Sequence, residues 1–154
     1  MAAGGDTDAA FESAEVTVKD TIIQQRLIPN AMEPRSAVAS YLQSMGELTL
    51  WSTTQNPHIA RFVTSMVTGL GEHKIRVIAP EVGGGFGAKI AVYPWDMLTV
   101  FCSMKLGRPV KWTETRTENY LSSTHGRDHV QYVELAATRE GKITGVRSVV
   151  YAAM

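Results

Sequence analysis

Pro80-Glu81-Val82-Gly83-Gly84-Gly85-Phe86-Gly87-Ala88-Lys89 is the stretch around which the chain is organised. Four glycines within five positions are too flexible to build a helix or a strand, and each loses more backbone entropy on folding than alanine would. Such a cost is carried where the backbone must adopt positive φ, or where another group approaches the main chain closely. Phe86 sets a rigid apolar ring beside bare N–H donors. Two readings stand at this point: a glycine-rich turn between a strand and a helix, or a cradle for a ligand.

The flanking sequence makes the loop a connection in an α+β fold. His73 to Ala79, with Ile75, Val77 and Ile78, reads as a strand running into it. After it Pro94 opens a helix to about Leu106, apolar on nearly every side and therefore expected to be deeply buried, with Gly107 and Pro109 ending it. Upstream, Ile59, Phe62, Val63, Met66, Val67 and Leu70 recur at helical spacing, predicting an amphipathic helix with that set as its core face. Asn56 is placed to cap it, Pro57 fits its first position, and Gly69 or Gly71 closes it. Ala37–Gln43 and Glu47–Ser52 read as a hairpin around Ser44-Met45-Gly46. His129–Thr138 and Lys142–Ala152 read as another around Arg139-Glu140-Gly141. Val110–Thr113 is a short strand, Arg116–Ser123 a short helix or turn, and Ala14–Leu27 a half-buried strand. The expected architecture is a mixed or antiparallel sheet with two main helices, over a flexible start at 1–13 and a partial domain at 14–154.

The chain has 154 residues, about one domain's worth, with 44% hydrophobic and 19% charged content. Lys+Arg and Asp+Glu both number 15, so charge gives no case for nucleic acid or an anionic membrane as partner. No apolar run approaches the roughly 20 residues of a membrane span. Cys102 stands alone, which excludes an internal disulfide and any cysteine-cluster site. These features favour a cytoplasmic setting. The closing run Val149-Val150-Tyr151-Ala152-Ala153-Met154 stops inside a strand-like segment, the pattern expected of a fragment of a longer polypeptide.

Known phosphate loops fit the glycine stretch poorly. A Walker A loop needs Ser or Thr after its lysine, whereas Ile90 follows Lys89. Gly83, Gly85 and Ala88 formally satisfy a dinucleotide fingerprint, with Glu114 as a later acid, but that motif opens directly into a helix and here Ile90–Tyr93 intervene.

The wider set of motifs is more specific. Trp51-Ser52-Thr53-Thr54-Gln55-Asn56-Pro57 precedes the loop, and Leu106-Gly107-Arg108-Pro109-Val110-Lys111 and Arg116-Thr117-Glu118 follow it. In this order they resemble the molybdopterin-binding large subunit of the xanthine dehydrogenase family of molybdenum hydroxylases. Gln25-Arg26-Leu27-Ile28-Pro29, Met32-Glu33-Pro34-Arg35 and His125-Gly126-Arg127-Asp128-His129 narrow the resemblance toward the aerobic carbon monoxide dehydrogenase branch. It runs from about Asp8 to the end of the sequence.

The resemblance implies a set of site residues. Gly84, Gly85, Phe86 and Gly87 would present backbone amides and a ring edge to the cofactor, and the Gln55 amide would bond an oxygen ligand of molybdenum. A neutral amide donates there without changing the charge of the site. No residue here is implied as a catalytic base or a direct metal ligand: the family's glutamate base and substrate loop belong to later segments. The implied cofactor is molybdopterin in its cytosine dinucleotide form with molybdenum, with copper as a feature of the carbon monoxide branch. FAD and 2Fe-2S clusters would lie on partners, a flavoprotein medium subunit and an iron–sulfur small subunit, beside a second copy of the large subunit. The implied activity is oxidative hydroxylation or carbon monoxide oxidation with water as oxygen source.

Other readings of the same residues remain beside these. Phe86 also suits an ordinary core aromatic, and Gln55 with Asn56 suits a turn at a helix start. Lys89 reads as structural or as reaching a cofactor polar group, Arg35 and Arg127 as surface or interface charges, and Cys102 as a small core residue. The competing functions are a cofactor-free binding domain and an NAD(P)-binding Rossmann domain.

Overall fold

The computed structural model describes residues 4–153, which form two compact units, Ile28–Gly126 and the flanking segments through Leu27 and from Arg127. The span expected as one partial domain thus holds two units.

In the larger unit, β2 (Ser36–Leu42) and β3 (Glu47–Ser52) form the expected antiparallel hairpin, with Ala39 opposite Leu50. β4 (Ile75–Ile78) adds parallel to β3, and β5 (Val110–Thr113) antiparallel to β2, giving the order β4-β3-β2-β5. The parallel pair needs a crossover, which α2 (Pro57–Thr68) supplies before a single 3-10 turn at Glu72–Lys74. α3 (Pro94–Leu106) returns the chain from β4 to β5 and packs on β2 and β5, while α2 packs on β4. α4 (Arg116–Ser122) follows, with Thr115 and Glu118 as its capping box. Both long helices start at a proline and end in a left-handed glycine, Gly69 at φ 74° and Gly107 at φ 62°, as the sequence predicts. Asn56 occupies the cap position of α2 without a side-chain bond, and its own N–H donates to Thr54 Oγ1.

The core alternates along the strands: Ala37 and Ala39 on β2, Leu48 and Leu50 on β3, and Ile75 on β4 meet Val100 of α3. The expected helix faces are corrected here. Ala60 and Thr64 are the buried residues of α2, whereas Ile59, Phe62, Met66 and Val67 are exposed. α3 buries Thr99, Val100 and Ser103 and leaves Trp95, Leu98 and Phe101 exposed, so it is not enclosed on all sides. Small helix residues allow close approach to a sheet of small and medium side chains, and their hydroxyls need no outside partner. Thr64 Oγ1 donates to Ala60 O, Thr99 Oγ1 to Trp95 O and Ser103 Oγ to Arg108 O, at 2.6, 2.8 and 2.9 Å.

In the smaller unit β1 (Val16–Leu27), β6 (Gly126–Ala137) and β7 (Ile143–Ala152) pair in the order β1-β6-β7. β6 and β7 form the expected antiparallel hairpin, with an irregularity at Ala136/Ala137. β1 is exposed along its whole length, not half-buried. Within the expected flexible start at 1–13, α1 (Thr7–Glu12) is a helix capped by Asp6, whose Oδ1 accepts from Ala9 N at 3.0 Å. It packs on β7, where the absence of a side chain at Gly145 admits Ala10 and Phe11, and Arg147 stacks 4.2 Å from the Phe11 ring while pairing with Asp8. Residues 1–3 of that expected start lie outside the described residues.

Candidate functional site

The glycine stretch connects β4 to α3 without regular structure, and side chains from two other segments shape it. Gln55 lies in the connection from β3 to α2, three residues past the last strand position. Its backbone N–H donates to Lys89 O at 2.9 Å, and its Oε1 accepts from Gly87 N at 3.0 Å and Lys89 N at 3.2 Å. Two backbone donors on one side-chain atom identify that atom as oxygen, which settles the orientation of the amide. The Nε2 group is thereby left as a donor with no acceptor among the described residues, on an exposed residue.

Gly85 shows why a glycine is required against this amide. A Cβ built there would lie 2.3 Å from Gln55 Oε1 and 2.7 Å from its Cγ. The Gly85 amide, in a buried residue, likewise has no acceptor among the described residues. Gly84 and Gly87 adopt φ of 96° and 95°, and Phe86 between them sits at φ 51°, rare for a bulky residue and worth about 1–3 kcal/mol of strain. The Phe86 ring folds back over Gly84 and is 59% exposed, so it is not a core aromatic.

The opposite end is held by Glu33. Its Oε2 accepts from Gly83 N and from Lys89 Nζ, both at 2.8 Å, and its own N–H donates to Gly83 O at 3.2 Å. Lys89 is 3% exposed, so it is a structural cation clamping the loop. Burial pushes the Glu33 carboxyl up, but the hydrogen bonds from Lys89 and Gly83 outweigh it and hold the group below its ordinary range.

Behind the loop lies a second charge cluster. Arg35 grips Glu114 through Nε and Nη2, the latter at 2.7 Å, and its backbone N–H adds a 2.6 Å bond to Oε1. Asn119 Nδ2 donates to the same carboxylate at 2.5 Å, and Nη2 of Arg35 also donates to Ser122 Oγ. Burial raises the Glu114 carboxyl and these bonds outweigh it, leaving it lowered. The guanidinium stacks 3.6 Å from the Tyr93 ring centroid, and Tyr93 OH donates to Ala88 O at 2.7 Å, which ties the cluster to the loop. Asp96 differs: burial dominates and raises its carboxyl despite bonds from Ser52 Oγ and Tyr93 N.

The structure therefore brings Gln55, Gly85, Gly87 and Lys89 together, with Gly84 and Phe86 on the same loop. It removes Arg35 from the surface charges, and it places Glu114, weighed as the acid of a dinucleotide motif, in a buried ion pair. The mixed sheet and the segment between loop and α3 likewise do not fit that motif. Glu33 escaped the reading of the sequence as a loop clamp. The available signal was Lys89 itself, since a lysine at the end of a loop of small residues is buried only when paired.

The arrangement offers two donors, Gln55 Nε2 and the Gly85 amide, near Gly87, where a side chain would meet nothing within 4 Å. It suits a ligand rich in acceptor atoms.

Comparison with known proteins agrees in kind. A family model described as the molybdopterin cofactor-binding domain matches residues 1–154. The carbon monoxide dehydrogenase large chain of Afipia carboxidovorans is 48% identical over 141 residues, 92% of this chain and 17% of that one. The nicotine 6-hydroxylase large subunit of Paenarthrobacter nicotinovorans is 40% identical over 144 residues, 94% of this chain and 18% of that one. The crystal structure of a Cu,Mo-CO dehydrogenase superposes with a TM-score of 0.70 at 48% identity, over 95% of this chain and 18% of that chain. The chain thus spans less than a fifth of the length of these relatives.

Proposed function

The chain belongs to the molybdopterin cofactor-binding domain family, and from that premise we propose that it forms one wall of the molybdenum-cofactor site in an oxidoreductase large subunit. The observation that carries the reading is the division of labour in the Gln55 side chain. Oε1 is spent on two loop amides, so Nε2 is left as a fixed neutral donor that would bond an oxygen ligand of molybdenum. Gly85, too tight for a Cβ, keeps that amide in place and adds its own N–H. Gly84 and Gly87 give the loop its turns, and Phe86 would present an apolar ring edge beside the same donors.

The donors present fit such a cofactor, whose oxygen and pterin atoms are acceptors and whose dithiolene end needs close backbone approach. When bound, the cofactor supplies two-electron redox chemistry with water as the oxygen source, either hydroxylation or oxidation of carbon monoxide. The residues named here would bind and orient the group. The cytosine dinucleotide form, copper in the complete protein, an iron–sulfur small subunit, a flavoprotein medium subunit, a second large subunit and a cytoplasmic setting belong to the same proposal. Relatives named as a large chain and a large subunit support the partner subunits, and the likeness to a Cu,Mo-CO dehydrogenase supports copper. Among the described residues no helix is long and apolar enough to cross a membrane.

The test is metal and pterin analysis of the full-length assembled protein. Molybdenum and pterin in equal amounts per large subunit are expected, and absence of both refutes the reading. Gly85→Val is expected to abolish retention of both while the helical signal of the fold persists.

A further inference from the structure

Behind the segment that carries Gln55 is a small polar cavity that the proposed cofactor chemistry does not use. Its volume is about 10 Å³, and Arg35, Ser52, Thr53, Thr54, Lys89 and Asp96 line it. A space of that size admits one water and nothing as large as a carboxylate or phosphate. Arg35 is 5% exposed, and its backbone N, Nε and Nη2 are all engaged by Glu114 or Ser122. Its Nη1 is buried and has no acceptor among the described residues. A buried guanidinium N–H without an acceptor is rare in folded proteins, and the usual resolution is ordered water.

Acceptors are present on the same wall. Asp96 Oδ1 accepts from Ser52 Oγ at 2.9 Å and Oδ2 accepts from Tyr93 N at 3.2 Å. A carboxylate has about four lone-pair sites, so each oxygen keeps capacity for another donor. Thr54 Oγ1 donates to Lys89 O at 3.3 Å, and its wall position puts the Gln55 segment against the same space. Arg35 and Lys89 exclude a cation, and the Asp96 carboxyl together with the volume disfavours an anion.

We propose that this cavity holds a single structural water that accepts from Nη1 of Arg35 and donates to Asp96. The water joins two pieces of chain remote in sequence, the start of β2 through Arg35 and the first turn of α3 through Asp96, and the Ser52 Oγ bond to Asp96 ties in the end of β3, Ser52–Thr54. Gln55 follows directly on the last of these, so the water is part of what fixes the backbone from which its amide projects. The water site stands without the cofactor reading; only its consequence for Gln55 rests on that reading.

The test is a crystal structure of the assembled full-length enzyme at a resolution that orders internal solvent. A single fully occupied peak is expected within about 2.7–3.2 Å of both Arg35 Nη1 and an Asp96 oxygen. Asp96→Asn, which keeps an acceptor, should retain the peak, and Arg35→Lys, which keeps the charge but removes Nη1, should lose it. An empty cavity, Nη1 bonded instead to a protein carbonyl, or an anomalous signal at that position after a bromide soak overturns the proposal. Persistence of the peak in the Arg35→Lys enzyme overturns it too. If Arg35→Lys fails to fold, the wild-type density decides alone, and molybdenum content of the same crystals reports separately on the cofactor reading.

Discussion

Gly85→Ala isolates the contact on which the site rests. The added Cβ would stand 2.3 Å from Oε1, 2.5 Å from Cδ and 2.7 Å from Cγ of Gln55. Restoring ordinary van der Waals separation moves the Gln55 side chain by about 1 Å, because three successive atoms are blocked and a rotation of the terminal amide alone does not suffice. The shift gives up the bonds from Gly87 N and Lys89 N, worth about 1 kcal/mol each. Lys89 is buried, so its stranded amide adds roughly 1–3 kcal/mol, whereas the exposed Gly87 amide finds water. The total is a destabilisation of about 3–5 kcal/mol together with displacement of the Nε2 donor. Gly87→Ala is the control: a Cβ there meets nothing within 4 Å, and only the φ of 95° opposes it, at about 1–2 kcal/mol. Urea unfolding of the two variants of the chain, paired with molybdenum content of the same variants in the full-length protein, measures both effects. Gly85→Ala should be the more damaging on each axis. Equal midpoints, or full molybdenum content in Gly85→Ala, would refute the claim that Gln55 is held against that glycine.

Glu33→Gln leaves Lys89 buried without its counter-charge and should cost toward the lower end of about 3–5 kcal/mol, since Glu33 itself is partly solvated; an unchanged unfolding midpoint would show that the clamp contributes nothing. Glu33 and Glu114 are held below their ordinary value of 4.5, so the unfolded chain takes up protons first. Their contribution is full above that pH and is lost as pH falls through the folded values, and Glu114→Gln should flatten the acid limb of a stability–pH curve. Asp96, raised from 3.8, acts in the opposite sense, contributing stability that disappears as pH rises through its folded value. On α2, Thr64→Leu should cost about 1–3 kcal/mol by overpacking, while Phe62→Ser in the isolated chain should stay within about 0.5 kcal/mol; the reverse order would restore the helix face expected from the sequence.

The parts of the fold legible in the sequence are those set by local chemistry. Pro57, Pro94, Gly69 and Gly107 mark helix ends because a missing N–H and a left-handed φ have few other homes, and the structure places them there. The hairpins followed from apolar runs with short Gly-bearing connections, and the chain's family from ordered motifs around Gly83–Gly87. The faces of α2 and α3 were not legible, because periodicity reports which residues share a side and not which side meets the sheet. The alanines of β2 leave room only for a close helix, so Ala60, Thr64 and Ser103 turn inward and the bulky stripe of α2 turns out. A hydrophobic pattern alone ranks those two faces in the wrong order.

The site shows the same division at longer range. Gln55 and the glycines were identifiable as a set, yet what makes them a rigid set lies 22 residues before Gln55 in Glu33 and, farther away, in the pairing of Arg35 with Glu114, separated by 79 positions. No local rule links such residues, and each alone reads as an ordinary surface charge. The physical constraint is collective. A loop of four glycines has little order of its own, so its conformation must be imposed by groups whose own positions are over-determined. Glu33 meets that requirement with one oxygen shared between Gly83 and Lys89, and Gln55 meets it with one oxygen shared between Gly87 and Lys89. Among the described residues Lys89 is common to both clamps: its ammonium serves the first and its amide the second. Lys89→Met should therefore release the Glu33 side while keeping the backbone bonds to Gln55, separating the two constraints without adding a Cβ to the loop. In the full-length protein that variant should retain more molybdenum than Gly85→Ala despite losing a buried ion pair. If it retains less, the Glu33 clamp and not the Gln55 amide is the dominant constraint on the loop.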